Sequence, residues 1–301
     1  MARAVVTCIA AGLAAVAAWA MSTTASAEET HSSQPPKRVV AMEWAQLETL
    51  LALGITPVGA ADARGYREWV SSPRLPESVA DIGSRQQPNL EELAQLKPDR
   101  IFSQAHLRPL KARLAAIAPV SEITFNGTGG DTFAAVVAGT RAIGEVTDKQ
   151  AEADALIAKT DAALAMDAKR LQAAGFSGRS VYVVRIIGPH AIRVHGQNSI
   201  ADTVLAKLGL KNAYRGKVNE WGFATVEPSA LADDPKATIV VAGPVTKAEM
   251  AAVFETPLGK ALPAVRAGAV YRLPVVWTFG GLPSAITMAD AIAAALTKSG
   301  N

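Results

Sequence analysis

Asp148-Lys149-Gln150-Ala151-Glu152-Ala153-Asp154-Ala155-Leu156-Ile157 opens a run that continues to Ala174 without a glycine or a proline. It is rich in alanine, leucine, lysine and glutamine, the strongest helix formers. Twenty-seven such residues span about 40 Å at 1.5 Å per residue. That length suits a strut between two lobes better than a crossover within one. Upstream, Thr132 to Thr147 is also alanine-rich, interrupted by Gly139 and Gly144. Thr147-Asp148 reads as a cap that restarts the helix.

Strand and helix signals alternate on both sides of the strut. Before it, Arg38–Met42 reads as a strand, Leu47–Leu53 as a helix stopped by Gly54, and Ile55–Ala60 as a strand. Asn89 caps a helix through Leu96, with Glu92 three residues on in a capping-box pattern. Arg100–Ser103 is a strand, Pro109–Ile117 a helix and Val120–Phe125 a strand. After the strut, Ser180–Ile186, Ala191–Val194, Thr238–Ala242 and Val270–Leu273 read as strands, and Ser199–Leu208 and Ser284–Lys298 as helices. This order implies parallel sheets covered by helices. The expected fold is α/β, with two lobes, each a mainly parallel sheet flanked by helices, joined by one long interlobe helix. The expected bounds are 37–146 for the first lobe, 147–175 for the helix and 176–301 for the second lobe. Leu93-Ala94 before Ile101-Phe102 and Leu231-Ala232 before Ile239-Val240 share one offset, a faint sign of duplication. Ligands of such folds bind beyond the carboxyl ends of strands, commonly between domains.

The chain has 301 residues, half of them hydrophobic and 19% charged, with 30 Lys+Arg against 27 Asp+Glu. A net charge of +3 supplies no basic patch of the kind nucleic acid needs. Residues 1–27 read as a signal peptide. Arg3 is the positive end, Ala4–Ala20 the apolar run, and Ala25-Ser26-Ala27 the cleavage site, placing the mature chain outside the cytoplasm. Residues 28–36 are polar and end in proline, the mark of a disordered leader. The single cysteine, Cys8, lies in the signal segment, so the mature chain has neither a thiol nucleophile nor a cysteine metal site.

No nucleophile elbow, phosphate loop, dinucleotide fingerprint or zinc-protease motif is present. Of the four histidines, His31 is in the leader, His190 and His195 flank a strand on opposite faces, and His106 stands alone after a strand. Each reads as a surface or loop residue. Ser199 beside His195 is the only pairing that a hydrolase could use, and Ser199 is better explained as a helix cap. Trp69, Trp221 and Trp277 fall in loop-like stretches near glycine, asparagine or charge. Trp offers a large apolar face and one N–H, suited to an amphiphilic ligand, although each could equally plug a core. Trp44 directly follows a strand and reads as core. Arg85, between Ile82-Gly83-Ser84 and the Asn89 cap, is placed to face the sheet mouth, where its fork can bond paired oxygens.

Seven stretches carry a resemblance. They are Arg38-Val39-Val40-Ala41-Met42-Glu43-Trp44, Leu50-Leu51-Ala52-Leu53-Gly54-Ile55, Tyr66-Arg67-Glu68-Trp69-Val70, Pro88-Asn89-Leu90-Glu91-Glu92-Leu93, Gly196-Gln197-Asn198-Ser199, Trp221-Gly222 and Pro274-Val275-Val276-Trp277. In this order the sequence resembles the FhuD-type periplasmic ferric-hydroxamate siderophore-binding proteins that serve ABC importers. The resemblance implies a shallow cleft between lobes that a rigid helix holds nearly fixed, and it implies no enzyme activity. The ligand would be a ferric siderophore chelate whose metal arrives already coordinated, so no intrinsic cofactor and no protein metal ligand are expected. Arg85 matches the family's ligand-binding arginine, Trp221 and Trp277 its second-lobe aromatics, and Trp69 a first-lobe aromatic. The family places a tyrosine where this chain reads Gln104-Ala105-His106-Leu107-Arg108. Either His106 donates or accepts there instead, or the ligand differs. The wider class docks on its permease through one surface carboxylate per lobe. Glu91 matches the first, and Glu227 lies near the second, outside strict register. The implied partner is an inner-membrane ABC permease, reached by a monomer in the periplasm.

A ferric catecholate, ferric citrate, haem or corrinoid is the alternative ligand. Catechol complexes are strongly anionic and favour several cleft cations, which makes Arg64, Arg185 and Arg193 the residues to follow. Arg85 standing alone in the cleft would favour the hydroxamate.

Overall fold

In the computed structural model, which describes residues 34–125 and 131–298, the first lobe is built from very short parallel strands. They are β1 (Val39–Ala41), β2 (Gly59–Ala60), β3 (Ala80–Asp81), β4 (Arg100–Ser103) and β5 (Val120–Glu122), in the order β3-β2-β1-β4-β5. Val39, Val40, Ile101 and Phe102 are fully buried, as expected of a parallel sheet covered on both faces. The connections carry α1 (Trp44–Ala52), α2 (Ala63–Trp69), α3 (Leu90–Gln95) and a 3₁₀ turn, Ala105–Leu110, that runs into α4 (Lys111–Ala115). The signal peptide expected over 1–27, with Cys8, and residues 28–33 of the leader, with His31, lie outside the described residues.

Two helices follow, α5 (Thr132–Thr147) and α6 (Gln150–Ala173). Asp131 caps α5 by accepting from the Phe133 and Ala134 N–H groups. The glycines do not break α5. Gly144 packs so tightly on the start of α6 that a Cβ there would meet Ala153 at 2.9 Å. Thr147-Asp148 ends α5 rather than starting α6. The Thr147 hydroxyl bonds back to the Ile143 carbonyl, and Asp148 closes the helix at φ 56°. The 24 residues of α6 bury Ala153, Leu156, Thr160, Leu164, Asp167 and Leu171. These fall three and four apart, one face of a helix, and pack against α5 and the closing helix of the chain.

The second lobe contains β6 (Ser180–Gly188), β7 (Ala191–His195), α7 (Ile200–Lys207), β8 (Lys211–Asn212), β9 (Phe223–Val226) and a 3₁₀ turn, Pro228–Ala232. There follow β10 (Thr238–Gly243), α8 (Lys247–Phe254), α9 (Pro257–Ala261), α10 (Pro263–Arg266), β11 (Val270–Val275) and α11 (Leu282–Lys298). The order is β11-β10-β6-β7-β9, with β8 beside β6. β6, β10 and β11 run parallel, while β7 and β9 are antiparallel additions. Both lobes thus place their first strand at the centre of a five-strand row. The second replaces crossover helices on one side with a hairpin.

Other sequence readings change in the first lobe, where the strand expected over Val120–Phe125 ends at Glu122. The strand expected over Ile55–Ala60 shrinks to Gly59–Ala60, because the Ile55 N–H bonds to the Leu50 carbonyl and finishes α1. The helix expected from Leu47 begins at Trp44 and is buried on nearly every side from Trp44 to Leu50. Its polar residues are therefore all engaged. Gln46 donates to the Ser103 and Ile123 carbonyls, Thr49 to the Ala45 carbonyl, and Glu48 accepts from the Gly281 N–H and the Ser284 hydroxyl.

Candidate functional site

Three side chains meet where the first sheet's strands end. Glu43 follows β1 and precedes α1, Arg85 follows β3, and His106 lies in the turn after β4. The segment holding Arg85 is closed by a bridge between Gly83 and Pro88. Arg85 Nη1 donates to Glu43 Oε2 at 3.1 Å, and Asp62 Oδ2 lies 3.8 Å from its Nε. His106 Nε2 lies 3.0 Å from the other Glu43 oxygen. One carboxylate thus aligns a guanidinium and an imidazole. The Arg85 fork also lies 4.2 Å above the Trp44 ring, a cation–π contact that fixes its plane. Trp44 is held in turn by bonds from Nε1 to the Ala61 and Asp62 carbonyls, 3.2 Å each. Burial pushes the Asp62 carboxyl above its usual range, against the pull of the Gly65 N–H and Arg85. Arg85 is therefore not the unpartnered surface residue that an arginine in a loop would be by default. Its charge is offset by the two carboxylates beside it.

Across the mouth, Trp221 meets the His106 ring edge-on at 5.6 Å. Asn219 Oδ1 accepts from the Trp221 and Phe223 N–H groups and shapes the loop. Gly222 (φ 74°) lets that loop press on Asn198-Ser199, where a Cβ would meet the Ser199 nitrogen at 2.5 Å. Trp277, in the loop after β11, packs on Trp44 at 4.5 Å and on Phe279 at 5.3 Å. It is 8% exposed, and its Nε1 has no acceptor among the described residues. Trp277 and Trp44 are both core and site floor.

Two expectations are corrected. Trp69 is not in a loop. It ends α2, and the Arg185 guanidinium covers its ring at 4.2 Å. His195 is not a surface or loop residue. It is fully buried on β7 between Phe223 and Phe279. Burial first, then Arg185 and Arg193, push its pKa down to about 3, so the ring is neutral. Neither ring nitrogen has a hydrogen-bond partner among the described residues. The Ser199 hydroxyl instead donates to the Gly196 carbonyl and accepts from the Asp202 N–H as the cap of α7. The nucleophile–base pair of a hydrolase is not formed.

Arg85, His106, Trp221 and Trp277 therefore come together, and Trp69 joins through Arg185. Glu91 and Glu227 are exposed and are not part of this cluster. Glu91 lies in the first turn of α3, and Glu227 opens the Pro228–Ala232 turn. Arg64 is an exposed residue of α2, outside the cluster. Sequence reasoning passed over Glu43, Phe223 and Phe279, and took Trp44 for core alone. One surface groove adjoins the cluster, lined by Asp62, Gly83 and Ser84 beside Arg85, and others lie away from it, between His190, Glu227 and Leu258 and between Phe133, Asn198 and Lys207. Among the described residues no group of three or more His, Cys, Asp or Glu side chains could hold a metal ion.

Two α/β lobes on a long helix, facing each other with oriented cations and aromatic rings, define a substrate-binding protein. Residues 39–276 match the family model for periplasmic binding proteins, and the chain belongs to that family. It is 35% identical to the iron(3+)-hydroxamate-binding protein FhuD of Escherichia coli K12, over 83% of this chain and 84% of that one. It is 28% identical to the Fe(3+)-citrate-binding protein YfmC of Bacillus subtilis 168, over 87% and 81%. Its fold superimposes on the crystal structure of the Vibrio cholerae siderophore-binding protein FhuD with Fe3+-Desferal bound. The TM-score is 0.82 at 32% identity, covering 87% of this chain and 98% of that one. The family consists of transport binding proteins, not enzymes.

Proposed function

We propose that this chain captures a ferric hydroxamate siderophore between its lobes and delivers it to an inner-membrane ABC permease. It acts in the periplasm as a monomer, after cleavage behind Ala27. The observation that carries this reading is Arg85, stacked on Trp44 and aligned by Glu43 beside His106. A guanidinium fixed in this way presents its remaining N–H groups to the paired oxygens of a hydroxamate. His106 supplies the second polar group, Trp221 covers the chelate at the rim, and Trp277 supports it from below. The iron enters as cargo in its chelate. The identities to the hydroxamate binders of E. coli and V. cholerae support the ligand class. Glu91 and Glu227, one on each lobe, dock on the permease. Exposed pairs of this kind set encounter rate and orientation more than affinity. The continuous helix α6 permits little hinge motion, so capture relies on side chains already in place.

The test is intrinsic tryptophan fluorescence of the mature protein, titrated with ferric ferrichrome, ferric ferrioxamine, a ferric catecholate and haem, after inner-filter correction. Saturable quenching by the hydroxamates is expected. Quenching only by the catecholate or haem would overturn the ligand class.

A further inference from the structure

The floor of the site is made by both lobes. Trp44 belongs to α1 of the first, and Trp277 to the loop between β11 and α11 of the second. Their rings pack at 4.5 Å, and Arg85 reaches both, 4.2 Å from Trp44 and 5.7 Å from Trp277. Trp44 is fixed by its two bonds to carbonyls. Trp277 has no such bond. Its Nε1 and the neighbouring Thr278 Oγ1 are buried without a partner among the described residues. The loop's polar anchors lie at its two ends. At the start, the Val276 N–H reaches the Gly243 carbonyl at 3.4 Å, a bond within the second lobe. At the finish, Gly280-Gly281 meets Glu48 of the first lobe.

Glu48 sits one turn after Trp44 on α1 and is fully buried. One carboxyl oxygen accepts from the Gly281 N–H, and the other from the Ser284 hydroxyl at 2.6 Å. The fit leaves no spare room. A Cβ on Gly280 would meet the first of these oxygens at 2.6 Å, and one on Gly281 would meet Thr49 Oγ1 at 3.2 Å. Two adjacent glycines thus let the backbone close on a carboxyl group. A buried carboxyl left unpaired is costly, so both bonds are enforced once the group is inside. A further tie crosses between the lobes, from the Ser71 hydroxyl to the Val275 carbonyl at 3.0 Å. That bond is exposed, and water can take its place. Water cannot take the place of the Glu48 pair.

We propose that Glu48 is a positioning residue for ligand capture: by clamping Gly281 and Ser284 of the second lobe to α1 of the first, it keeps Trp277 seated on Trp44 beneath the chelate. This deepens the reading above and rests on it. Glu48, being fully buried, acts on the ligand only through the two rings. The gain is pre-organisation. A floor already assembled costs no ordering when the chelate arrives.

The experiment compares wild type with Glu48→Met, Glu48→Gln, Ser284→Ala and Leu171→Ala. Met keeps the helix preference and fills the space but removes both bonds. Gln keeps an acceptor for the Gly281 N–H and a donor for Ser284. Leu171→Ala weakens the fold through α6 and so reads what lost stability alone does. Ferric ferrichrome, ferric citrate and haem are titrated into each protein at a temperature where all are folded. Near-UV circular dichroism of the ligand-free proteins reads the packing of the tryptophan pair. Glu48→Met should weaken ferrichrome about tenfold, the scale of a lost hydrogen bond to a charged group, and lose near-UV tryptophan signal with the far-UV spectrum unchanged. Ser284→Ala removes one bond of the two and should weaken ferrichrome about fivefold; it carries the test if Glu48→Met does not fold. Glu48→Gln and Leu171→Ala should each stay within about twofold of wild type and keep the near-UV signal. Glu48→Met or Ser284→Ala losing no more than Leu171→Ala, or Glu48→Gln losing as much as Glu48→Met, would overturn the clamp and leave the hydroxamate reading standing. Ferric citrate or haem bound in place of ferrichrome, and weakened in Glu48→Met but not in Leu171→Ala, would support the clamp and overturn the hydroxamate reading. No binding of any of the three by wild type would overturn both.

Discussion

Glu48 offers a stability test with a definite sign. Its carboxylate is fully buried at the start of α11, accepting from the Gly281 N–H and the Ser284 hydroxyl more than 230 residues away in sequence. Burial raises its pKa from 4.5 to about 7, even though both bonds favour the charged form. In the unfolded chain it titrates near the ordinary carboxyl value. The folded state therefore holds a proton that the unfolded state has lost between these two pH values. The resulting stabilisation is complete below pH 4.5 and disappears as pH rises through about 7. At 1.36 kcal/mol per unit the swing is roughly 3 kcal/mol. Glu48→Gln keeps an acceptor for the Gly281 N–H and a donor for Ser284 but cannot ionise. Urea unfolding followed by circular dichroism at pH 5, 6, 7 and 8 should show the variant gaining on wild type by roughly that amount across the range. Parallel curves, differing by less than about 0.5 kcal/mol in slope contribution, would refute the claim that an ionisable group is buried there. A difference that grows toward acid pH would refute the sign.

Other outcomes are expected. Leu171→Ala removes a fully buried contact of α6 and should cost about 2–5 kcal/mol in urea unfolding; a loss below about 1 kcal/mol would mean that the strut does not anchor the fold. His106→Phe should weaken hydroxamate binding about tenfold, whereas His106→Tyr, which restores a polar tip, should stay near wild type; calorimetry checks this, and equal behaviour of the two would remove His106 from the site. The double variant Glu91→Lys, Glu227→Lys should bind ligand normally in solution yet fail to support uptake in cells or proteoliposomes; unimpaired uptake would place permease docking elsewhere.

The long helix was legible because an alanine-rich run without glycine or proline has few other conformations open to it. β4 was read with its observed bounds, since Arg100-Ile101-Phe102-Ser103 is a compact run closed by turn residues. β2 and β3 have two residues each, too few for any periodicity to show. Gly144 was read as a helix breaker because its signal is local. The reason for it, the close approach of α6, is tertiary. Arg85 was placed at the sheet mouth because that reading needs only strand positions, whereas His106 read as a loop residue until the family resemblance singled out its loop. Glu43 escaped notice because the helix was expected only from Leu47, which left Glu43 in an unassigned link, and its contacts with Arg85 and His106 are tertiary. Arg185 and Arg193 were set aside for one ligand class. Their direct pairing across β6 and β7 depends on strand register, which a one-dimensional pattern does not contain.

The most direct test of ligand capture at Arg85 is equilibrium dialysis of the mature protein against 55Fe-labelled ferrichrome, run beside Arg85→Ala. Wild type should retain one ferric chelate per chain, displaced by excess unlabelled chelate, and Arg85→Ala should retain at least tenfold less at the same free concentration. Equal retention by the two proteins, or none by wild type, would contradict capture of a ferric hydroxamate at this arginine.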